Sequence, residues 1–158
     1  MDKLISLLTT TEGRIGRQQW WLGIVALIVI ALVATIIFSI ISFGNATVVA
    51  WLGVLLSIAF IWPSYCIGIK RRRDRDNNGT DLKIMIAGSV LLNLISATGI
   101  GVTWTDVGGV LMPMPAIWLS ALNLIFAVFA IYMLVQLGFL KGTTGANSYG
   151  ADPLNAAA

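Results

Sequence analysis

The longest uncharged segment of the chain runs from residue 18 to residue 69 and reads QQWWLGIVALIVIALVATIIFSIISFGNATVVAWLGVLLSIAFIWPSYCIGI. A charged side chain at the centre of a bilayer costs about 2.5–3.5 kcal/mol, so membrane-spanning segments exclude such residues. One crossing helix needs about 20 apolar residues, and this segment is long enough for two. Gly44 and Asn45 divide it, and both residue types are common in turns. The sequence therefore predicts helices over residues 18–42 and 48–69.

Residues 84–105 and 107–140 also carry no charged side chain. They predict a third helix over 82–101 and a fourth over 115–140, joined by a Gly-rich loop that contains Pro113. The chain is 58% hydrophobic and 11% charged, whereas soluble domains are about 25% charged. We therefore predict an all-α membrane protein, in which a four-transmembrane-helix bundle forms a single membrane domain over residues 1–158.

The positive charges indicate an orientation for this bundle. All ten Lys and Arg lie in or beside three segments, 1–17, 70–81 and 141–158. The 43–47 turn and the 102–114 loop contain none, and Asp106 is the charged residue of that loop. Because Lys and Arg accumulate in cytoplasmic loops, the three basic segments and both termini are predicted to be cytoplasmic.

The amino-terminal residues allow two interpretations. Residues 1–8 place four apolar side chains beside Lys3, which fits either a short helix on the inner leaflet or a frayed terminus. The first apolar helix is longer than the 7–15 residues of a signal-peptide core, so we interpret it as retained.

The residue types needed for most enzyme chemistry are scarce. The chain has no His and one cysteine, Cys66, which falls inside the second predicted helix and suits a small apolar position. No carboxylate lies within a predicted span, so the proton-relay pattern of many pumps is missing. We therefore expect no enzyme activity, no cofactor and no metal site.

Mild polar residues and one proline lie within the predicted spans. Asn93 and Asn123 are expected either to join helices through polar contacts inside the bundle or to line a path for a solute. Pro63 lacks a backbone donor, so it predicts a kink that leaves the carbonyl of Ala59 without its helical partner.

The segment Lys70–Asp81 is the densest group of charges, and it allows three interpretations. Asp74, Asp76, Asn78 and Gly79 match the first half of a calcium loop, but Met85 stands where the ligating Glu belongs. The run of arginines before Asp74 also fits a docking site for anionic lipid or a partner protein. Finally, the segment fits a turn that only fixes the orientation of the chain.

Three motifs resemble the domain-of-unknown-function 805 family, a family of small bacterial inner-membrane proteins. They read GRIGRQQWW at residues 13–21, KRRRDRDNNG at 70–79 and GTTGANSYGADP at 142–153. Arg73 and Thr80 depart from the family pattern, which usually has His and Trp at these positions. The resemblance implies a multi-pass protein of the bacterial plasma membrane, and the family brings no established activity with it.

We predict that the three motifs pack together as a cap on the cytoplasmic end of the bundle. Arg14, Arg17 and Arg71 are expected to face Asp74, Asp76 and Asp152, with Asp74 holding Arg14 or Arg17. The alternative is three separate loops with solvated charges, in which exposed ion pairs contribute at most about 1 kcal/mol. The predicted cap, or its surface for lipid or partner contact, contains Arg14, Arg17, Arg71, Arg72, Arg73, Asp74, Arg75, Asn147, Tyr149 and Asp152.

Two functions from different classes follow. The first is a non-enzymatic accessory or scaffold protein of the inner membrane, whose basic cytoplasmic face contacts anionic lipid of the inner leaflet or a partner protein. The second is a component of an oligomeric transporter or channel for a small solute or an ion. Four helices enclose little space, so the second function requires a homo-oligomer. Neither function involves nucleic acid.

Overall fold

The structure is a computed structural model that describes residues 2–154. Residue 1 and residues 155–158, which include the terminal alanines, lie outside the described part. The helices are α1 (Asp2–Thr9), α2 (Arg17–Ile41), α3 (Ala46–Ala59), α4 (Ile61–Arg73), α5 (Thr80–Thr98) and α6 (Ile117–Leu134). Strands β1 (Val102–Val107) and β2 (Val110–Pro115) lie between α5 and α6, and a π-helical turn (Val135–Phe139) continues α6.

Several helices are long and apolar enough to cross a membrane. Three qualify alone: Arg17–Ile41, Thr80–Thr98 and Ile117–Phe139. A fourth span results if the bent pair α3 and α4 counts as one, and this judgement rests on length and composition. Most side chains along these spans lie on the outside of the protein. Such an apolar exterior is typical of a membrane protein and explains the long uncharged segments of the sequence.

The second predicted helix is broken near its middle. α3 ends at Ala59, α4 begins at Ile61, and their axes differ by 42°. Pro63 has no N–H to donate to the carbonyl of Ala59, so the helical ladder is interrupted at this point. The kink that Pro63 predicts is therefore present, with the break at Phe60.

The helix was also predicted to end at residue 69, which is wrong. α4 continues to Arg73, so Lys70 and the next three arginines form its last turn and are not part of a loop. Cations stabilise the last turn of a helix because its unpaired carbonyls carry partial negative charge. The actual loop is short, and it includes Asp76 and Gly79 at positive φ of 54° and 73°.

The all-α prediction is corrected by a hairpin of two antiparallel strands. β1 pairs with β2 in a register that places Val107 opposite Val110, with Gly108 and Gly109 as the turn. These glycines have φ of 67° and 87°, the positive values that a type I′ turn requires. Hydrogen-bonded and non-bonded pairs alternate from this turn, which puts Pro113 and Pro115 at positions that need no donor.

The buried core lies toward the end of the protein where α4 finishes and α5 begins. It is a cluster of apolar residues from five helices, the segment before α2 and the π-helical turn: Leu7, Ile15, Trp20, Leu27, Ile67, Ile69, Leu82, Met133 and Leu137. Gly68 permits close packing of α4 on α5, because an added Cβ would lie 2.6 Å from the side chain of Leu82. α1 packs on α4 in this region through Leu7, so residues 2–9 form a packed helix.

Candidate functional site: a charged cap

Three segments, residues 10–17, 70–79 and 141–154, meet at the core end of the helices, and we call them the charged cap. At its centre Arg14 donates from Nε and Nη2 to Oδ1 of Asp74, at 3.3 and 3.1 Å. Arg71 forms an ion pair with Oδ2 of the same carboxylate. The side chains of Arg14, Arg71 and Asp74 are 1%, 0% and 5% exposed. One buried carboxylate therefore pairs with two buried guanidinium groups, and main-chain carbonyls accept their remaining hydrogen bonds.

Arg14 also holds the carboxyl-terminal tail. Its Nη1 donates to the carbonyls of Gly145 (2.8 Å) and Gly150 (3.1 Å), and its Nη2 donates to the carbonyl of Thr143 (2.8 Å). The backbone N–H of Thr143 donates to the carbonyl of Asp74 at 2.8 Å. The rigid donor fork of arginine suits such multiple contacts, and lysine cannot reproduce them. Arg14 thus joins the entry to α2, the end of α4 and the tail.

Glycine at position 142 allows the tail to pass over Asp74. An added Cβ would overlap the Asp74 carboxylate and lie 2.9 Å from its main-chain oxygen. This carboxylate is fixed by two arginines, so it has no room to move aside. The glycine of the third motif is therefore explained by close approach.

The tail also covers the loop after α4. Asn147 donates from Nδ2 to the carbonyl of Arg73 at 2.8 Å, and the N–H of Ser148 donates to Oδ1 of Asp76 at 3.3 Å. The guanidinium of Arg73 lies 5.5 Å from the ring centroid of Tyr149, a cation–π distance. The structure therefore brings Asn147 and Tyr149 onto the loop that carries Asp74.

Asp152 shapes the tail itself. Its carboxylate accepts hydrogen bonds from the N–H groups of Gly145 (2.9 Å) and Leu154 (3.0 Å). The Leu154 bond, followed by the Gly145 bond, lowers the pKa of Asp152 below its ordinary value of 3.8, since both favour the charged form. The expected pairing of Asp152 with an arginine is replaced by these backbone contacts, which are nearer along the chain.

The π-helical turn after α6 supplies acceptors for the basic residues. Arg71 Nε donates to the carbonyl of Leu137 (2.8 Å), Arg17 to that of Phe139 (3.2 Å) and Arg75 to that of Gln136 (3.2 Å). The indole N–H of Trp21 donates to the carbonyl of Gly138 at 3.2 Å. These carbonyls end a helix, so cations are favoured there. The sequence did not predict this role, because every residue type has a main-chain carbonyl that can accept a hydrogen bond.

Two further cations are buried at the end of α4. Lys70 is 3% exposed, and its Nζ donates to the carbonyls of Ser6 (3.1 Å) and Leu7 (2.9 Å) near the end of α1. Arg72, also 3% exposed, forms an ion pair with Asp81, while its buried Nε has no partner among residues 2–154. The basic run is thus mainly an internal structural element.

The distribution of exposure limits what the cap can do chemically. Asp74 is held by arginines, and this conflicts with the interpretation of its loop as a calcium site. Within residues 2–154 no group of three or more His, Cys, Asp or Glu is arranged to hold a metal ion.

The exposed cations of the described chain are Lys3, Arg17, Lys83 and Lys141. A cavity of about 300 Å³ lies between the start of α2 and the tail, with Arg17 and Lys141 in its wall.

Asn93 and Asn123 lie away from the cap and do not have the expected position inside the bundle. Both are exposed, and each amide donates to the carbonyl four residues earlier in its own helix, at 3.0 Å for Asn93 and 2.9 Å for Asn123. A helix always offers that carbonyl within reach, so each side chain satisfies one donor without contacting another helix.

Comparison with known proteins finds relatives that match most of the chain, including residues of all three segments of the cap. The chain is 27% identical over 142 residues to the uncharacterized protein YiiR of Escherichia coli (strain K12), which covers 89% of this chain and 84% of YiiR. YiiR of Escherichia coli O157:H7 matches to the same extent. No solved structure matches. The family model described as "Protein of unknown function (DUF805)" matches residues 8–151, so the chain belongs to the DUF805 family.

Proposed function

We propose that this is a multi-pass protein of the bacterial inner membrane that acts as a non-enzymatic accessory or scaffold protein. In this proposal four helices span the membrane, and both termini and the charged cap face the cytoplasm. The cap offers a fixed surface to a partner protein, and its exposed cations contact anionic lipid. The observation that carries the proposal is the buried Arg14–Asp74–Arg71 group, which joins two segments of the cap while Arg14 also binds the carboxyl-terminal tail.

The chemistry of the cap supports binding more than catalysis. The carboxylate of Asp74 is held by two arginines, and Asp81 by Arg72, so neither is placed to act as a base. The sequence has no His that could take this role. Catalysis requires a titratable group or nucleophile within reach of a substrate, whereas a scaffold requires only a stable surface.

Burial of the arginine run changes which residues are proposed to meet lipid. The side chains of Arg71 and Arg72 are buried and bind groups inside the protein, and the guanidinium of Arg73 lies over the ring of Tyr149. Lys3, Arg17, Lys83 and Lys141 remain on the surface. Each Lys or Arg near an anionic membrane surface contributes about 1 kcal/mol of attraction. Lipid contact is therefore assigned to these four residues, and partner contact to the tail that covers the cap.

A photo-crosslinking experiment tests the partner surface. A photoreactive amino acid is placed at Ser148, on the exposed tail, or at Trp104, on the hairpin at the other end of the helices. We expect a discrete crosslinked protein from Ser148 in intact cells and none from Trp104. Asp74→Ala, which removes the centre of the cap, should abolish the Ser148 product at equal protein level. Equal products from both positions, or a Ser148 product that survives Asp74→Ala, would contradict the proposal.

A second candidate is an oligomeric transporter or channel component. The observation that favours it is the exposure of Asn93 on α5 and Asn123 on α6. Within the described chain, each side-chain amide donates one hydrogen bond, to a carbonyl of its own helix. Polar amides in hydrocarbon associate with one another across helices. This candidate predicts a homo-oligomer that dissociates in Asn93→Leu, as measured by native mass spectrometry. If the original protein and Asn93→Leu are both monomeric, the transporter or channel candidate is excluded.

A further inference from the structure

An apolar groove runs between α4 and α5 on the outside of the protein. Its volume is about 510 Å³, within the range of ligand-binding sites. The wall includes Ile61 and Tyr65 of α4 and Lys83, Ala87, Val90 and Leu94 of α5. Lys83 is its one charged wall residue and stands at the end nearest the charged cap. The groove thus combines a long apolar surface with a single cation at one end.

The length of the groove matches one leaflet of a bilayer. Lys83 and Leu94 are separated by eleven positions of α5, which at 1.5 Å per residue corresponds to about 16 Å. The hydrocarbon core of a bilayer is about 30 Å thick, so one leaflet contributes about 15 Å. If Lys83 lies at the level of the phosphates, Leu94 lies close to the centre of the membrane. An acyl chain of the same leaflet therefore has the length of this groove.

The charged end of the groove is suited to a phosphate. Lys83 is exposed, and no carboxylate of residues 3–154 lies within ion-pair distance of its ammonium group. Tyr65 lines the same groove, and tyrosine is enriched at the level of lipid headgroups. A partner helix, about 10–12 Å across with its side chains, would instead need a broad face along both helices. The single cation and the length of the groove both favour a lipid.

We propose that the groove between α4 and α5 binds an anionic phospholipid of the inner leaflet, with one acyl chain along the groove and the phosphate at Lys83. This inference rests on the proposed orientation, in which the cap is cytoplasmic. It assigns a defined lipid site to one of the exposed cations. Lipid held in this way fills the surface beside the bend between α3 and α4.

Native mass spectrometry of the full chain tests the site. The protein is released from detergent with added phosphatidylglycerol or phosphatidylcholine, and retained lipid is counted. We expect preferential retention of phosphatidylglycerol, reduced about five-fold in Lys83→Gln, since one cation near the membrane surface contributes about 1 kcal/mol. Ala87→Phe should fill the groove and reduce retention of both lipids. Lys83→Arg, which keeps the positive charge, and Ala121→Phe, which changes an exposed alanine elsewhere, are matched controls.

Each other result has a distinct meaning. Equal retention by Lys83→Gln, Ala87→Phe and their controls overturns the site. A dimer that dissociates in Ala87→Phe, without any change in bound lipid, shows that the groove binds a second copy of the chain instead. The partner proposal fails separately, through loss of the Ser148 crosslink while lipid retention is normal. The orientation also fails separately, through an external position of residue 77.

Discussion

Asp74 is the side chain on which most contacts of the cap depend. Its carboxylate pairs with both Arg14 and Arg71, and its carbonyl accepts from the backbone N–H of Thr143. Removal of one member of a buried ion pair leaves an uncompensated charge, which costs more than the pair itself contributed. In this case two guanidinium groups lose their carboxylate, and both are almost fully buried.

We therefore expect Asp74→Ala to lower the free energy of unfolding by about 3–5 kcal/mol. Arg14→Lys should also be destabilising, because a lysine cannot donate to Asp74 and to the tail carbonyls together. Thermal unfolding in detergent measures both effects, with Glu12→Ala at an exposed carboxylate as the matched control. If Asp74→Ala and Arg14→Ala each leave the thermal stability unchanged, and so does the double variant, the three segments do not form one unit.

Asp152 gives the tail a dependence on pH. Its pKa is lowered by the backbone N–H groups of Leu154 and Gly145, so the folded carboxyl group has a lower pKa than the unfolded one. Such a group contributes stability above the unfolded pKa, about 3.9, and the contribution is lost as the pH falls through the folded pKa.

Asp152→Asn should therefore unfold at a lower temperature than the original protein at pH 6. This difference should shrink as the pH falls below about 4, because the original carboxyl group then becomes protonated as well. Melting curves at several pH values test this, with Glu12→Gln at an exposed acid as the control. A difference that stays constant down to pH 3 would contradict the role of the charged carboxylate.

The sequence indicated which segments contain the charged residues of the cap, but it did not indicate which side chains contact each other. It placed Arg14 or Arg17 on Asp74, and the structure distinguishes them: Arg14 contacts Asp74, while Arg17 contacts the carbonyl of Phe139. Both arginines have the same chemistry and lie three positions apart. The choice depends on the path of the tail and on the π-helical turn, neither of which has a local sequence signal.

The helices and strands differ in how clearly their sequences mark them. Pro63 indicated the kink of the second span because a missing donor is a local property. The end of α4 was missed because charged residues suggested a loop, yet their buried hydrogen bonds keep Lys70–Arg73 helical. The β-hairpin did have a signal, Gly108-Gly109 between apolar residues, which is typical of a two-residue turn. Pro113 and Pro115 obscured it.

This hairpin should depend on Gly109. A two-stranded hairpin is marginal alone, and all residues of β1 and β2 are exposed. Gly109→Val places a β-branched residue at φ of 87°, a conformation it strongly disfavours, whereas Gly109→Asn is tolerated. We expect faster amide hydrogen exchange over residues 102–115 in Gly109→Val, with the melting temperature of the protein unchanged. Equal exchange in the two variants would exclude a turn that requires positive φ.

The arrangement of the chain as a whole separates its two ends. The cap end contains the buried core and the buried cations, while the hairpin end contains Asp106 and exposed apolar strands. Long spans with an apolar exterior connect them. The cations concentrated at the cap end of the protein are thus also the donors that assemble the cap.

Topology is the prediction on which the proposed function and the lipid site both depend. Reporter fusions at Asn45, Asn77, Val107 and the carboxyl terminus should read outside, inside, outside and inside. The reason is that Lys and Arg near the ends of spans resist transfer across the membrane, and all ten lie at the cap end or beside it. Lys83→Gln combined with Lys141→Gln is a control that should leave the pattern unchanged, since the remaining cations include the run Lys70–Arg73. An external carboxyl terminus would place the cap and Lys83 on the opposite side, and an internal reporter at Asn45 would show that the bent pair α3 and α4 does not cross.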